Sequence, residues 1–415
     1  MGYIKLDKIL KHDKTISYEY SVSDDLRKFF NFDKSFVIDY PESVESVPDA
    51  IAAVPFVCNV LPIIWLADAK LIVNELDKAF FECIQEVRKG YESMYPETSF
   101  GGTIEVSAVL DCVSPFSNGP KSALFYSGGV DSMDSLIRHL DEKPDLISIW
   151  GSDISYDNEA GWKLLRSALV EASNKYDLNI FDIRSRFREF DKEGFLSQCY
   201  SAQLQRNYWY GIKHGLALLG HAAPYAYLHG TTMIYIASSN CPQDGMVRCA
   251  SDPRTDSRVK FSNCSVFHDG YECTRQDKLR NIVQYNLGET DILPLHVCWE
   301  TQTGVNCCVC EKCYRTMTGL IFENADPVHY GFPDAEKEMP FMQKRLYLSK
   351  KTPPLKTWGR IHDDAVERQQ TLRKSKYWHS IKWILKDDFL KPSFVWRLRK
   401  AGAKIIRKAR RLTAK

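Results

Sequence analysis

Ala123-Leu124-Phe125-Tyr126-Ser127-Gly128-Gly129-Val130-Asp131-Ser132 is the stretch whose reading decides the fold. Four apolar residues run into two adjacent glycines, and then Met133, Leu136, Ile137 and Leu140 recur at helical spacing. The order is strand, tight turn, helix. Paired glycines let the backbone bend sharply and bring its amide N–H groups against an anion. The helix N-terminus adds unpaired donors and the positive end of a dipole. Ser127 and Ser132 can donate hydroxyls to phosphate oxygens, and Asp131 can hold Mg²⁺ against them. Neither GxxxxGK[ST] nor GxGxxG occurs anywhere in the chain. A plain glycine turn, or a loop that has lost catalysis, is the bland alternative, and this composition is unusual for a plain turn.

Outward from this loop the pattern alternates. Short apolar runs at residues 123–126, 146–150, 179–183 and 225–228 read as strands; residues 131–140, 158–176 and 197–219 read as helices. That alternation predicts an α/β fold, a parallel sheet with helices on both faces, over residues 121–235. The turns Gly151-Ser152-Asp153 and Gly230-Thr231-Thr232 are expected to follow the second and fourth strands and to frame a ligand at their carboxyl ends. Ordinary strand-to-helix turns have the same composition.

Residues 1–120 have a different texture. Strands are expected at 16–20, 35–40 and 103–113, with a helix over 71–91, which makes an N-terminal α+β domain without legible chemistry. Residues 50–67 carry no charge and are nearly long enough to cross a bilayer, but Pro55, Pro62 and Asn59 argue for buried core. Net charge is +2, so the composition as a whole gives no sign of a nucleic-acid binder. The last 25 residues, in contrast, carry ten Lys/Arg and no acid, interleaved with Phe394, Trp396, Leu398 and Ile405. Such a basic tail could rest on an anionic membrane surface or on nucleic acid; a solvated or partly docked helix is the preferred reading.

Thirteen cysteines in a chain without an apolar leader fit a reducing cytoplasm better than a secreted disulfide scaffold. Cys298 is followed by Cys307-Cys308-Val309-Cys310-Glu311-Lys312-Cys313. One upstream Cys and a Cys-x₂-Cys-x₂-Cys run supply four thiolates for one tetrahedral metal, with Zn²⁺ the default. Cys298, Cys307, Cys310 and Cys313 are the expected ligands and Cys308 the bystander. Four sulfurs leave no open position, so the metal is expected to staple its loop and not to catalyse.

The Ser127–Ser132 string, in its strand–turn–helix setting, resembles the signature of the PP-loop ATP pyrophosphatases. The cysteine spacing resembles the zinc site of the 7-cyano-7-deazaguanine synthase-like members of that family. The likeness covers roughly residues 123–315. It departs at Cys308, where the family pattern has glycine, and at Gly230-Thr231-Thr232-Met233, which lacks the Asn- and Tyr-rich pattern of the deazaguanine pocket. The resemblance implies ATP bound by Ser127, Gly128, Gly129, Val130, Asp131 and Ser132, with Asp131 and Ser132 catalytic. It further implies cleavage to AMP and pyrophosphate, activating a carboxylate or amide oxygen for a nitrogen or sulfur nucleophile. A sugar amidotransferase, a sulfur-inserting enzyme and a non-catalytic ATP sensor are the rival readings.

Between the two motifs Arg254, Arg275 and Lys278 could neutralise phosphate, and His268 or Asp269 could move a proton. Lys312 and Arg315 flank the last cysteine. Residues 236–330 are thus expected to form a substrate lobe with the metal site, and residues 331–415 a C-terminal extension. The implied partners are ATP and an unidentified second substrate, small or carried on a macromolecule; a homodimer is compatible with the sequence.

Overall fold

A computed structural model describes residues 2–116, 118–301, 304–349 and 353–386, with 397, 398, 401, 402 and 405. The remainder of the basic tail, including Phe394 and Trp396, lies outside the described residues. The chain divides into two compact units: Met1–Ser127 with Asp131–Arg275, and Gly128–Val130 with Gln276–Lys415.

The first unit is built on one sheet of eleven strands. In chain order these are β1 (Tyr3–His12), β2 (Thr15–Val22), β3 (Val37–Asp39), β4 (Lys70–Asp77), β5 (Thr103–Leu110) and β6 (Ser122–Phe125). They continue as β7 (Asp145–Trp150), β8 (Ile180–Ser185), β9 (Met233–Ala237), β10 (Lys260–Phe261) and β11 (Cys264–Asp269). The spatial order is β10-β11-β9-β6-β7-β8-β3-β2-β1-β4-β5. From β8 to β11 the five neighbours β8-β7-β6-β9-β11 are all parallel. Chain order runs one way from β6 through β7 to β8 and the other way through β9 and β11. That reversal between β6 and β9 is the topological switch point at which open α/β sheets take ligands. The α/β class and its parallel sheet are therefore as expected.

Residues 1–116 contribute β1–β5 to this same sheet, because β3 pairs antiparallel with β8 through Ile38↔Ser185 and Asp39↔Arg184. A single apolar core runs from Ile4 to Val266. The uncharged stretch forms most of the helices Asp49–Ala52 and Val54–Ala67, and every residue from Ala50 to Trp65 is buried. No helix among the described residues is long and apolar enough to cross a membrane. Asn59 Nδ2 donates to the Pro55 carbonyl at 2.9 Å. The helix packs so close to His214–Gly220 that a Cβ on Gly220 would meet the Cys58 Cβ at 2.7 Å.

Three sequence readings need correction. Residues 225–228 are not a strand but lie inside the helix Ala222–His229, and the strand comes later, at β9. A four-residue apolar run fits either element, and the helix ends at Gly230 in the left-handed region (φ 64°). The proposed helix over 71–91 is β4 followed by the helix Lys78–Met94. Asp77 marks the boundary as an N-cap, accepting from Phe80 N at 3.0 Å. The single helix over 197–219 is three pieces: Glu193–Leu204, a π-helical turn Trp209–Lys213, and His214–Gly220.

The helices Arg275–Tyr285, Glu311–Phe322 and Leu355–Glu367 bury Leu279, Met317, Leu320 and Trp358.

Candidate functional site

The loop after β6 is closed by its own serines. Ser132 Oγ accepts from Ser127 N at 3.3 Å and lies 3.3 Å from Ser127 Oγ. Ser148 Oγ donates to the Tyr126 carbonyl at 2.5 Å, which anchors the strand end beside β7. Gly128 takes φ 70°, a conformation that penalises any side chain. Within the second unit its carbonyl accepts from His296 N at 2.7 Å. Asp131 stands in the first turn of the helix Val130–Arg138, where the dipole favours a carboxylate.

Within the first unit Asp131 Oδ2 lies 3.4 Å from Arg275 Nη1 and 3.4 Å from Ser239 Oγ. Ser239 follows β9, so the strands on both sides of the switch point contribute to one polar cluster. Arg275 was among the sequence candidates and Ser239 was not. Its signal, Ser238-Ser239-Asn240 directly after a strand, became legible only with β9 correctly placed.

The two flanking turns part company. Gly151 lies at the carboxyl end of β7, as expected, with φ 113°. A Cβ there would meet the Ser185 carbonyl oxygen at 1.9 Å, so only glycine fits. The Ser152 carbonyl accepts from Arg188 Nη1 at 3.0 Å. Gly230-Thr231-Thr232 instead caps a helix and enters the amino end of β9, the wrong end to frame a ligand beside the loop.

The residues between the motifs are mostly engaged elsewhere. Arg254 is clamped by Asp252, Nε–Oδ1 at 2.7 Å and Nη2–Oδ2 at 2.9 Å. His268 is buried with Nδ1 2.8 Å from Asp256 Oδ2. Asp269 accepts from Ser135 Oγ at 2.6 Å and Arg138 Nη2 at 3.1 Å, and lies 3.2 Å from His139 Nε2. In the second unit Lys278 is buried, Lys312 Nζ sits 4.6 Å from the centre of the Trp299 ring, and Arg315 Nε is 3.9 Å from Glu311.

His139 has a carboxylate at each ring nitrogen, with Nδ1 2.9 Å from Glu142 Oε1. Burial alone would depress its pKa, but Asp269 and Glu142 overcome that and raise it. The resulting stabilisation is full below the unfolded histidine value of about 6.5 and is lost as pH rises through the raised folded value. A His139→Gln variant should therefore lose stability most below pH 6.5 and converge on the parent at higher pH, as urea midpoints across pH 5.5–9 will show. Equal destabilisation at every pH would contradict this account.

The four expected ligands come together. The Sγ atoms of Cys298, Cys307, Cys310 and Cys313 all lie within 4.8 Å of one another. The separations are 3.9 Å for Cys298–Cys310, 3.9 Å for Cys307–Cys313 and 3.4 Å for Cys310–Cys313. Four sulfurs each about 2.3 Å from one zinc stand roughly 3.8 Å apart on a tetrahedron. Disulfide sulfurs would be about 2.05 Å apart. The donor set thus fits a tetrahedral thiophilic metal.

Two devices shape this cage. Cys310 caps the helix Glu311–Phe322, its sulfur accepting from Cys313 N at 3.4 Å, while Cys307 Sγ accepts from Cys310 N at 3.3 Å. Asn306, which the sequence reading passed over, ties the arms together. Its Oδ1 accepts from Val297 N at 3.0 Å and Cys298 N at 3.2 Å, and its Nδ2 donates to the carbonyls of Leu295 at 2.6 Å and Gly331 at 2.8 Å.

Cys308 points away. It is fully buried, its sulfur faces the Asn306 carbonyl at 3.7 Å, and burial pushes its thiol up to about 11. Its φ of 55° is the left-handed conformation that glycine adopts at no steric cost. Cys308→Gly should keep the full metal content and change stability by less than about 1 kcal/mol, since relief at φ offsets the lost packing. Loss of metal in that variant would make Cys308 a ligand.

Comparison with family models, curated proteins and solved structures finds no match. The reading of this site therefore rests on its own geometry.

Proposed function

We propose that this chain is an AMP-forming ATP pyrophosphatase that adenylates a carboxylate or amide oxygen on a second substrate. One observation carries the reading: the Ser127–Ser132 loop leads from β6 into a helix at the switch point of a parallel sheet. Backbone N–H groups and two hydroxyls at that point suit a pyrophosphate, held as the leaving group while an oxygen attacks the α-phosphorus. Asp131 would hold Mg²⁺, which would neutralise the charge developing on the leaving phosphates, while Ser132 donates its hydroxyl to them. Arg275 supplies a further positive charge beside Asp131. Ammonia, an amine or a sulfur nucleophile then displaces AMP.

Four thiolates close the coordination sphere of a tetrahedral metal, so Cys298, Cys307, Cys310 and Cys313 would hold Zn²⁺ in a structural role. The test is to incubate the protein with ATP, Mg²⁺ and fractionated metabolite extract and to quantify pyrophosphate against inorganic phosphate. Pyrophosphate with equimolar AMP supports adenylation; ADP with phosphate contradicts it. ATP that binds and stays intact in every fraction favours the sensor reading.

A further inference from the structure

Three arginines alternate along the end of β8 and beyond it: Arg184, Arg186 and Arg188. Arg188 is spent on Glu193, at 3.2 and 2.8 Å, and on the Ser152 carbonyl. The other two are held differently. Arg184 is the register partner of Trp150, the last residue of β7. Its guanidinium carbon lies 3.9 Å from the Trp150 ring centre and 4.1 Å from that of Tyr156. The Arg186 guanidinium lies 4.3 Å from the same Tyr156 ring. Trp150 in turn stacks on Trp162, 5.5 Å between centroids and 6° from parallel. The Tyr156 hydroxyl is fixed by Asp39 Oδ2 at 3.1 Å.

A guanidinium stacked on a ring is oriented in advance and keeps its N–H edge for an acceptor. Few acceptors are present among the described residues. Arg184 Nη2 donates to the Tyr156 carbonyl at 3.1 Å and is 4.0 Å from Glu159, which is exposed. Arg186 Nη2 reaches Asp157 at 3.4 Å, and Asp157 is shared with Lys34 at 3.6 Å. Among the described residues, neither the Nε of Arg184 nor the Nε of Arg186 has a hydrogen-bond acceptor, and both atoms are buried. Buried guanidinium donors are rarely left so, and a bound ion is one of the ordinary explanations. The pair stands at the carboxyl ends of β7 and β8, the rim where such sheets take ligands.

We infer that Arg184 and Arg186 form an anion clamp for a phosphate group carried by a second ligand. A phosphate offers three strong acceptor oxygens and up to two negative charges, against two oxygens and one charge on a carboxylate, so it matches two guanidinium cations better. The clamp belongs to β7 and β8, apart from the Ser127–Ser132 loop after β6. As a subsite for the second substrate it rests on the adenylating reading; as an anion site it does not.

The test is equilibrium dialysis of the full, metal-loaded chain against radiolabelled inorganic phosphate. An Arg184→Gln/Arg186→Gln variant should bind about 10- to 100-fold more weakly at one class of site, as loss of charged hydrogen bonds implies. Ser127→Ala/Ser132→Ala should leave that class unchanged. Arg184→Lys keeps the charge without the fork and should weaken the same class about 10-fold, which keeps the test open if the double variant misfolds. Phosphate binding equal to the parent in the arginine variants overturns the inference. Displacement by a short single-stranded RNA would assign the phosphate to a nucleic-acid backbone; no displacement would assign it to a small molecule. If ATP is never cleaved but the clamp still binds, the adenylating reading fails alone.

Discussion

Replacing Cys310 by serine should strip the metal from the protein and unfold the second unit around it. Cys310 does two things at once: it supplies a sulfur 3.9 Å from Cys298 and 3.4 Å from Cys313, and it caps the helix Glu311–Phe322. Structural zinc contributes about 10–16 kcal/mol to the folding of isolated finger peptides, as much as the whole stability of a typical domain at about 5–15 kcal/mol. Elemental analysis should fall from about one zinc per chain to near zero, since a three-thiolate remnant binds far more weakly. Protease should then cut within residues 276–386 while the first unit resists. A parent protein that is folded and free of metal would remove the basis of this expectation.

Asp131→Asn should lower ATP-dependent pyrophosphate release by about 100- to 1,000-fold, the usual cost of removing one preorganised charge-stabilising group. The change preserves side-chain shape and the hydrogen bond to Ser239, but takes away the negative charge that Arg275 faces and that Mg²⁺ would need. Ser132→Ala should act in the same direction through the loop itself, because Ser132 Oγ is what holds Ser127 N. The checks are single-turnover pyrophosphate release and ATP affinity, measured separately. Full activity in both variants would end the proposal, and a loss of affinity alone would point to binding without catalysis.

The parts of this molecule most legible in the sequence were those where chemistry restricts residue choice. Four thiolates around one metal need a fixed spacing, and the structure brings together Cys298, Cys307, Cys310 and Cys313 while turning Cys308 aside. The strand–turn–helix geometry after β6 was legible for a similar reason, since paired glycines between an apolar and a helical run mark a sharp bend. Residues 225–228 were misread because a short apolar run carries no period, and that error displaced β9 and hid Ser239. Asn306 was missed because a lone asparagine carries no pattern; its four hydrogen bonds join points up to 25 residues away. The composition change near residue 120 marked no break in the sheet, because strand pairing depends on partners far apart in the chain.

The β3–β8 pairing has a consequence for how this chain comes into being. Ile38 finds Ser185 only after nearly 150 intervening residues have left the ribosome, so closure here is among the most costly contacts in entropy. Until then the three residues of β3 present an unpaired margin, the kind of feature that recruits wrong neighbours in crowded solution. Synthesis of the first strands thus creates a waiting period: β2 covers one edge of β3, and the opposite edge stays open until β8 arrives.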